Sequence, residues 1–317
     1  MFLQHILKIG KMKNILLIGG NGYIGLNLIK DLLRRKKYNI SLLTSRNVNS
    51  HFSGQLHIIN GQISEYNKIN SVVENKKIDT IIHLACSILP TSSFEDFLKE
   101  QNNIIIPTYK LIKLCSRKKI MFVFFSSGGA VYGNSKKIIE ESTILKPISY
   151  YGHAKKMVED FIRLQSYLND LKFLILRPSN PFGGYNNYKK KHGLILAIIN
   201  SIKNQEPINI FVNKNTVRDF IHIDELVDAV IKILESKYSN EVFNIGTGTG
   251  SSISEICNFF KNIFPDQFYI KYSNKILKDV SSSILCVKKI DHNFPNRKKV
   301  SIKKGLNYIA ETLKKEI

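Results

Sequence analysis

The chain has 317 residues, of which 43 % are hydrophobic and 23 % charged, an ordinary balance for a globular protein with a large core and outside the disordered and fibrous classes. No apolar run approaches the roughly 20 residues needed to cross a bilayer, and Cys86, Cys115, Cys257 and Cys286 are far apart, as expected for reduced thiols in a cytoplasmic protein. The net charge of +22 suggests nucleic acid, but the lysines fall in short clusters at 34–37, 117–119 and 189–191 without the interleaved aromatics of a stacking platform, so a solvated basic surface is expected and nucleic acid is not. Residues 1–11 are too short and interrupted for a signal peptide and are expected to form an N-terminal extension ahead of a second candidate start, Met12.

The unbroken apolar run 15–18 predicts a strand buried on both faces. Gly19, Gly20, Gly22 and Gly25 follow at once, and Ile24, Leu28, Leu32 and Leu33 then repeat at helical spacing to about residue 35. Strand, glycine turn and helix together make a dinucleotide turn, in which backbone N–H groups at a positive helix end hold a pyrophosphate. Further strands are expected at 40–44, 56–59, 79–85, 121–125 and 173–176, with helices at 65–75, 94–116 and 149–168. Pro107 is expected to break or kink the second of these helices. The alternation predicts an α/β fold, a doubly wound parallel sheet whose ligands bind beyond the carboxyl ends of the strands. The second half predicts helices at 194–203, 224–235, 253–262 and 302–313, and strands at 208–212, 217–222 and 242–245, the last entering the glycine-rich stretch 246–250. A cofactor domain over 12–180, rejoined by about 213–245, and a smaller α/β lobe over 181–317 are expected.

The fifth strand runs into Ser126, Ser127, Gly128, Gly129, Ala130, Val131, Tyr132 and Gly133. Tyr151 and Lys155, four residues apart, then share one helical face. An ammonium beside a phenol lowers the phenol's pKa, so the pair can move a proton on a substrate hydroxyl while a cofactor carries hydride.

These segments in this order resemble an extended short-chain dehydrogenase/reductase and, within that group, the nucleotide-sugar epimerase/dehydratase family. The stretches 176–183, 217–224 and 244–248 match further family segments, so the resemblance spans residues 13 to about 313. It implies a Rossmann domain for NAD(P), a lobe for a nucleoside-diphosphate sugar and, in many members, a homodimer. By this resemblance Gly19, Gly22 and Gly25 cradle the pyrophosphate, with Tyr23 and Ile24 at the variable positions of the turn. Gln62 and Ile63 stand where the adenine binds, Ala85 lines the pyrophosphate and ribose, and Ser126, Tyr151 and Lys155 complete the cofactor site. Asn180 bonds the sugar diphosphate and Arg218 grips it with a guanidinium fork. His222 is expected to pack and His83 to end a buried strand, and no metal site is expected.

Three departures from the family pattern shape the reading. Gly128 stands where the family's catalytic Ser or Thr usually lies, which leaves Ser127 to supply the hydroxyl beside Gly128 in the substrate site. The second strand ends in Thr44, Ser45 and Arg46 instead of the acid that binds the ribose of NAD, so NADP stays open beside NAD. The arginine of another diphosphate segment is replaced within 276–279, leaving Lys275 or Lys278. Gly129 and Ala130 replace the Asp–Glu pair of 4,6-dehydratases, which argues against dehydration. The expected activity is NAD-dependent epimerisation at C4 of a nucleoside-diphosphate sugar, a UDP-sugar favoured, with small residues at 128–130 leaving room for a 4-keto sugar to turn over. The alternatives are an NADPH-dependent 4-keto-sugar reductase and a cofactor-binding protein without turnover.

Overall fold

The computed structural model describes residues 12–46, 52, 54–135, 137–184, 193–211, 213–272 and 280–316. In chain order the first half comprises β1 (Lys13–Ile18), α1 (Tyr23–Arg35), β2 (Tyr38–Thr44), β3 (His57–Asn60), α2 (Tyr66–Asn75), β4 (Thr80–His83), α3 (Phe94–Glu100), α4 (Ile106–Lys118), β5 (Met121–Phe125), α5 (Tyr150–Asn169) and β6 (Phe173–Pro178). The second half holds β7 (Asn180–Phe182), α6 (Leu194–Asn204), β8 (Ile208–Ile210), β9 (Val217–Arg218), β10 (Phe220–His222), α7 (Ile223–Glu235) and β11 (Glu241–Ile245). It ends with β12 (Ser251–Ser252), α8 (Ile253–Ile263), β13 (Ile270–Tyr272), β14 (Ser282–Ser283), α9 (Lys288–Asn293) and α10 (Ile302–Glu316).

A seven-stranded sheet in the order β11-β6-β5-β4-β1-β2-β3 forms the centre, and every pairing within it is parallel. The apolar run of β1 divides between the two faces as a pleated strand must. Ile15 and Leu17 join α1 and α7 residues such as Leu28, Leu32, Leu226 and Val230 in one core. Leu16 and Ile18 face the other way, toward Ile69, Leu111, Ile112, Val158 and Ile162 of α2, α4 and α5. Chain order reverses between β1 and β4, which opens a crevice at their carboxyl ends, the standard position for a ligand in such a sheet. A third core gathers Phe182, Ile198, Ile202, Phe220, Ile256, Phe260, Leu306 and Leu313 from β7, α6, β10, α8 and α10.

Two elements depart from the expected pattern. The helix over 94–116 does not simply kink at Pro107. It divides into α3 and α4 around a π-helical segment, Gln101–Ile105, with Pro107 in the first turn of α4 and the Ile106 N–H reaching five residues back to Gln101 O. The wider turn accommodates a residue that has no N–H and whose ring crowds the preceding turn. The expected strand 217–222 is two strands, because Asp219 breaks the ladder and turns its carboxylate to the Thr247 and Gly248 amides. Val212, at the end of another expected strand, lies outside the described residues, as does the proposed extension 1–11. Among the described residues, no helix is long and apolar enough to cross a membrane.

Candidate active site

The glycine turn occupies the β1–β4 crevice. Gly19 holds φ of +77°, and a Cβ there would stand 2.5 Å from Ala85 N, so the β4 exit and the turn touch backbone to backbone. A Cβ on Gly25 would stand 2.3 Å from Gly20 O, so only glycine lets α1 rise so closely from the turn. Gly22 is the N-cap of α1 and supplies no side-chain cap, and a Cβ on it would meet nothing nearer than Gly19 O at 3.4 Å. An uncovered helix start with a bare backbone fits a dinucleotide pyrophosphate. Tyr23 donates its phenol O–H to Gly183 O at 2.7 Å, tying the turn to the segment after β7. Ile24 packs against the α1–α7 core.

Around this crevice, Thr44 ends β2 with its hydroxyl engaged by Arg46: the Arg46 N–H donates to Thr44 Oγ1 at 3.1 Å. Arg46 is exposed, and residues 47–50 lie outside the described set. Gln62 is exposed and its N–H donates to Glu65, whereas Ile63 is buried. Ser126 is turned away from the crevice: it is buried and donates its hydroxyl to Glu159 Oε1 at 2.5 Å.

The residues expected to transfer the proton lie at the start of α5. Ser149 caps that helix, its Oγ accepting from Gly152 N–H at 3.1 Å, and so places Tyr151 in the first turn. Lys155 follows one turn later, 6 % exposed, and donates Nζ to Phe125 O at 3.0 Å. Its ammonium lies 5.9 Å from the centre of the Tyr151 ring. Burial pushes the Tyr151 phenol up, while the Lys155 charge and a hydrogen bond with the Ser127 hydroxyl pull it down. Lys155 therefore acts with the expected sign, but desolvation outweighs it and the net shift is upward. His83, at the end of β4, is fully buried and its imidazole is pushed down to about 3 by desolvation, with Lys155 adding to the effect. It is therefore neutral, with Nε2 2.9 Å from Thr108 Oγ1.

Gly128 does not open space for a turning sugar, contrary to the expectation from residue size. It is buried, its N–H donates to Pro178 O at 2.8 Å, and a Cβ there would stand 2.5 Å from Leu285 Cδ1 and 3.0 Å from Arg177 O. Its missing side chain points into packed protein. Ser127 instead brings the hydroxyl to Tyr151. Gly129 is partly exposed, and a Cβ on it would reach ordinary contact with Asn180 at 3.6 Å, so that position bears on the cleft. Ala130 is buried. Gly128→Thr is expected to lower stability by about 1–3 kcal/mol through overpacking without raising turnover. Urea unfolding and initial rates check both halves.

Residues of the second half meet the β5 and β6 exits. Asn180 donates both its N–H and its Nδ2 to Asp219 O, each at 3.0 Å. Arg218 is 9 % exposed and donates Nη1 to Val217 O at 2.9 Å. The Asp219 carboxylate accepts from Thr247 N–H and Oγ1, Gly248 N–H and Leu285 N–H. Burial raises its pKa, and these bonds work against the rise. His222 caps α7, accepting from Asp224 N–H at 3.3 Å, and its ring packs edge-on against Phe182 at 5.5 Å, the packing role expected for it. The segment 275–279, with Lys275 and Lys278, lies outside the described set.

Sequence reasoning missed the polar network beneath these groups. Glu159, 0 % exposed, accepts from Ser126 and from Arg177 Nε and Nη2. Arg177, 1 % exposed, also donates to Tyr132 Oη at 2.6 Å, and Tyr132 donates to Asn244 Oδ1 at 2.6 Å. Arg297, likewise buried, binds Glu225, Asp291 and Gly246 O and so braces the loop after β11. Glu159 was detectable, since it follows Lys155 by four residues and shares its helical face.

Known proteins resemble this chain in sequence and in fold. The chain is 27% identical to a UDP-glucose 4-epimerase of Lactobacillus helveticus, over 78% of this chain and 81% of that one. It is 26% identical to a dTDP-4-dehydro-6-deoxyglucose reductase of Escherichia coli, over 96% of this chain and 98% of that one. Among solved structures, a UDP-glucose 4-epimerase of Thermotoga maritima with UDP-glucose superposes with a TM-score of 0.86 at 26% identity, covering 96% of this chain and 99% of the other. Residues 15–246 match the profile of the NAD dependent epimerase/dehydratase family, and the chain belongs to that family.

Proposed function

We propose that this chain is an NAD-dependent epimerase acting at C4 of a nucleoside-diphosphate sugar, a UDP-sugar in the first instance. The observation that carries the reading is the convergence of Ser127 and Lys155 on Tyr151 beside a bare glycine turn, with Gly129 and Ala130 in place of any acid for dehydration. NAD, held at the turn by Gly19, Gly22 and Gly25, would take the C4 hydride and return it. Tyr151 phenolate accepts the C4 hydroxyl proton, Lys155 stabilises that phenolate, and Ser127 orients the hydroxyl. Asn180 and Arg218 hold the diphosphate, and the 4-keto sugar turns over on the Gly129 side before Tyr151 returns the proton.

The L. helveticus and T. maritima proteins support the UDP-sugar assignment. A second reading, an NADPH-dependent reductase of a nucleotide-linked 4-keto sugar, draws on the E. coli relative and on Thr44–Arg46 in place of an acid. Weighing the nucleotide released by denaturation separates the two: resident NAD supports the epimerase, and an empty protein that takes up NADPH supports the reductase. Ser127→Ala is expected to lower turnover roughly 10- to 100-fold with little change in KM; unchanged turnover removes Ser127 from the site. Ile106 on α4 and Leu164, Tyr167 and Leu168 on α5 are exposed apolar residues, and we assign that flank to homodimer pairing, in a cytoplasmic enzyme.

A further inference from the structure

Glu100 is the last residue of α3, immediately before the π-helical segment, and is only 2 % exposed. Its carboxylate accepts from Ser87 N–H at 3.0 Å and from the Ser87 hydroxyl, while the neighbouring Cys86 thiol donates to Ile88 O at 3.5 Å. Glu100 thereby holds the segment following Ala85, whose backbone is in contact with Gly19 of the glycine turn. The other buried carboxylates near the site are differently provided for. Glu159 and Glu225 lie against the guanidinium groups of Arg177 and Arg297, and Asp219 takes a cluster of amide donors. Among the described residues, no Lys, Arg or His nitrogen lies within ion-pair distance of Glu100. A buried carboxylate held only by hydrogen bonds keeps a charge that no cation offsets, and a cation brought close to it is stabilised.

We propose that Glu100 is an electrostatic residue of the cofactor cleft, its buried carboxylate favouring the cationic, oxidised nicotinamide over the neutral, reduced one. The inference rests on the nicotinamide reading above. A hydride acceptor must sit beside the sugar carbon whose hydroxyl meets Tyr151, and Glu100 shares a face of α3 with Phe97, whose ring stacks at 5.3 Å on Tyr150, the residue next to Tyr151. Oxidation of the sugar at C4 moves a hydride, a proton and two electrons, onto the ring, and the ring's positive charge disappears. A fixed negative charge resists that loss. The consequence suits an epimerase, which must rest with its cofactor oxidised and must return every hydride it takes.

The test is a redox titration of the nicotinamide bound to the whole chain, followed at 340 nm, in the native protein and in Glu100→Gln and Glu100→Asp. Glu100→Gln keeps acceptor capacity and removes the charge. It is expected to shift the ratio of reduced to oxidised bound cofactor about tenfold toward reduced, a rise in potential of ~30 mV. Glu100→Asp, which keeps the charge, is expected to stay near the native potential even where it loosens the segment after Ala85. An unchanged potential in Glu100→Gln overturns the proposal, and so does an equal shift in both variants, which would mark packing as the cause. Failure of the native protein to bind either NAD or NADH overturns the nicotinamide reading itself and is distinguishable from both.

Discussion

Tyr151→Phe is expected to lower turnover about a thousandfold, within the ~10²–10⁴ range of a lost general base, while the protein stays folded and keeps its nucleotide. In the proposed mechanism the phenol oxygen exchanges a proton with the substrate hydroxyl, and the neighbouring Lys155 ammonium tunes it. Phenylalanine preserves the ring and its packing against the α2–α4–α5 core. The same assignment fixes the sign of the pH dependence. Burial holds the Tyr151 pKa above its ordinary value, with Lys155 and Ser127 opposing it in part. In the proposed mechanism phenolate is the active base, and its population grows as pH rises. Turnover should therefore climb from about pH 6 to about pH 9 in the native enzyme, and the slope should vanish in Tyr151→Phe. Initial rates across that range check both points. A variant as active as the native protein would remove Tyr151 from the mechanism.

Glu159→Gln should give the largest loss of stability, about 3–5 kcal/mol, because it leaves the Arg177 guanidinium buried without its counter-charge. Both side chains are almost fully buried, and Arg177 makes two bonds to the carboxylate. The pair also grips the site. Lys155 takes Phe125 O and, one helical turn on, Glu159 takes the Ser126 hydroxyl, so α5 holds two successive residues of the β5 exit and leaves Ser127 facing Tyr151. Asp160→Asn, which breaks the exposed pair with Lys156 one residue away on the same helix, is expected to cost less than about 1 kcal/mol. Urea unfolding of the two variants side by side measures the contrast. Equal midpoints would mean that Glu159 carries no special weight in the fold.

The periodic parts of this structure were legible in the sequence because their causes are local. The apolar run 15–18 had to be a doubly buried strand, and Tyr151 and Lys155 had to share a helical face. Pro107 announced a disturbance, but whether the helix would break or widen into a π turn depended on how α3 and α4 pack against α5. Position 128 shows the limit most clearly. A glycine in place of a hydroxyl residue reads as empty space, yet the direction of its absent side chain is set by Leu285, more than 150 positions away in the chain, which closes over it. The partners of buried charges were likewise hidden. Arg177 meets Glu159 only when β6 packs on α5, Arg297 reaches Glu225 across the chain although Asp291 is a near neighbour, and Glu100 is distinctive only for the charge it lacks nearby.

The most direct test of the central assignment uses a UDP-sugar carrying deuterium at C4, incubated with the purified chain without added cofactor and followed by NMR. Epimerisation through Tyr151 with an internal hydride return predicts inversion at C4 with the deuterium retained at that carbon. Absence of inversion with every UDP-sugar offered, or inversion with loss of the label to solvent, would contradict it.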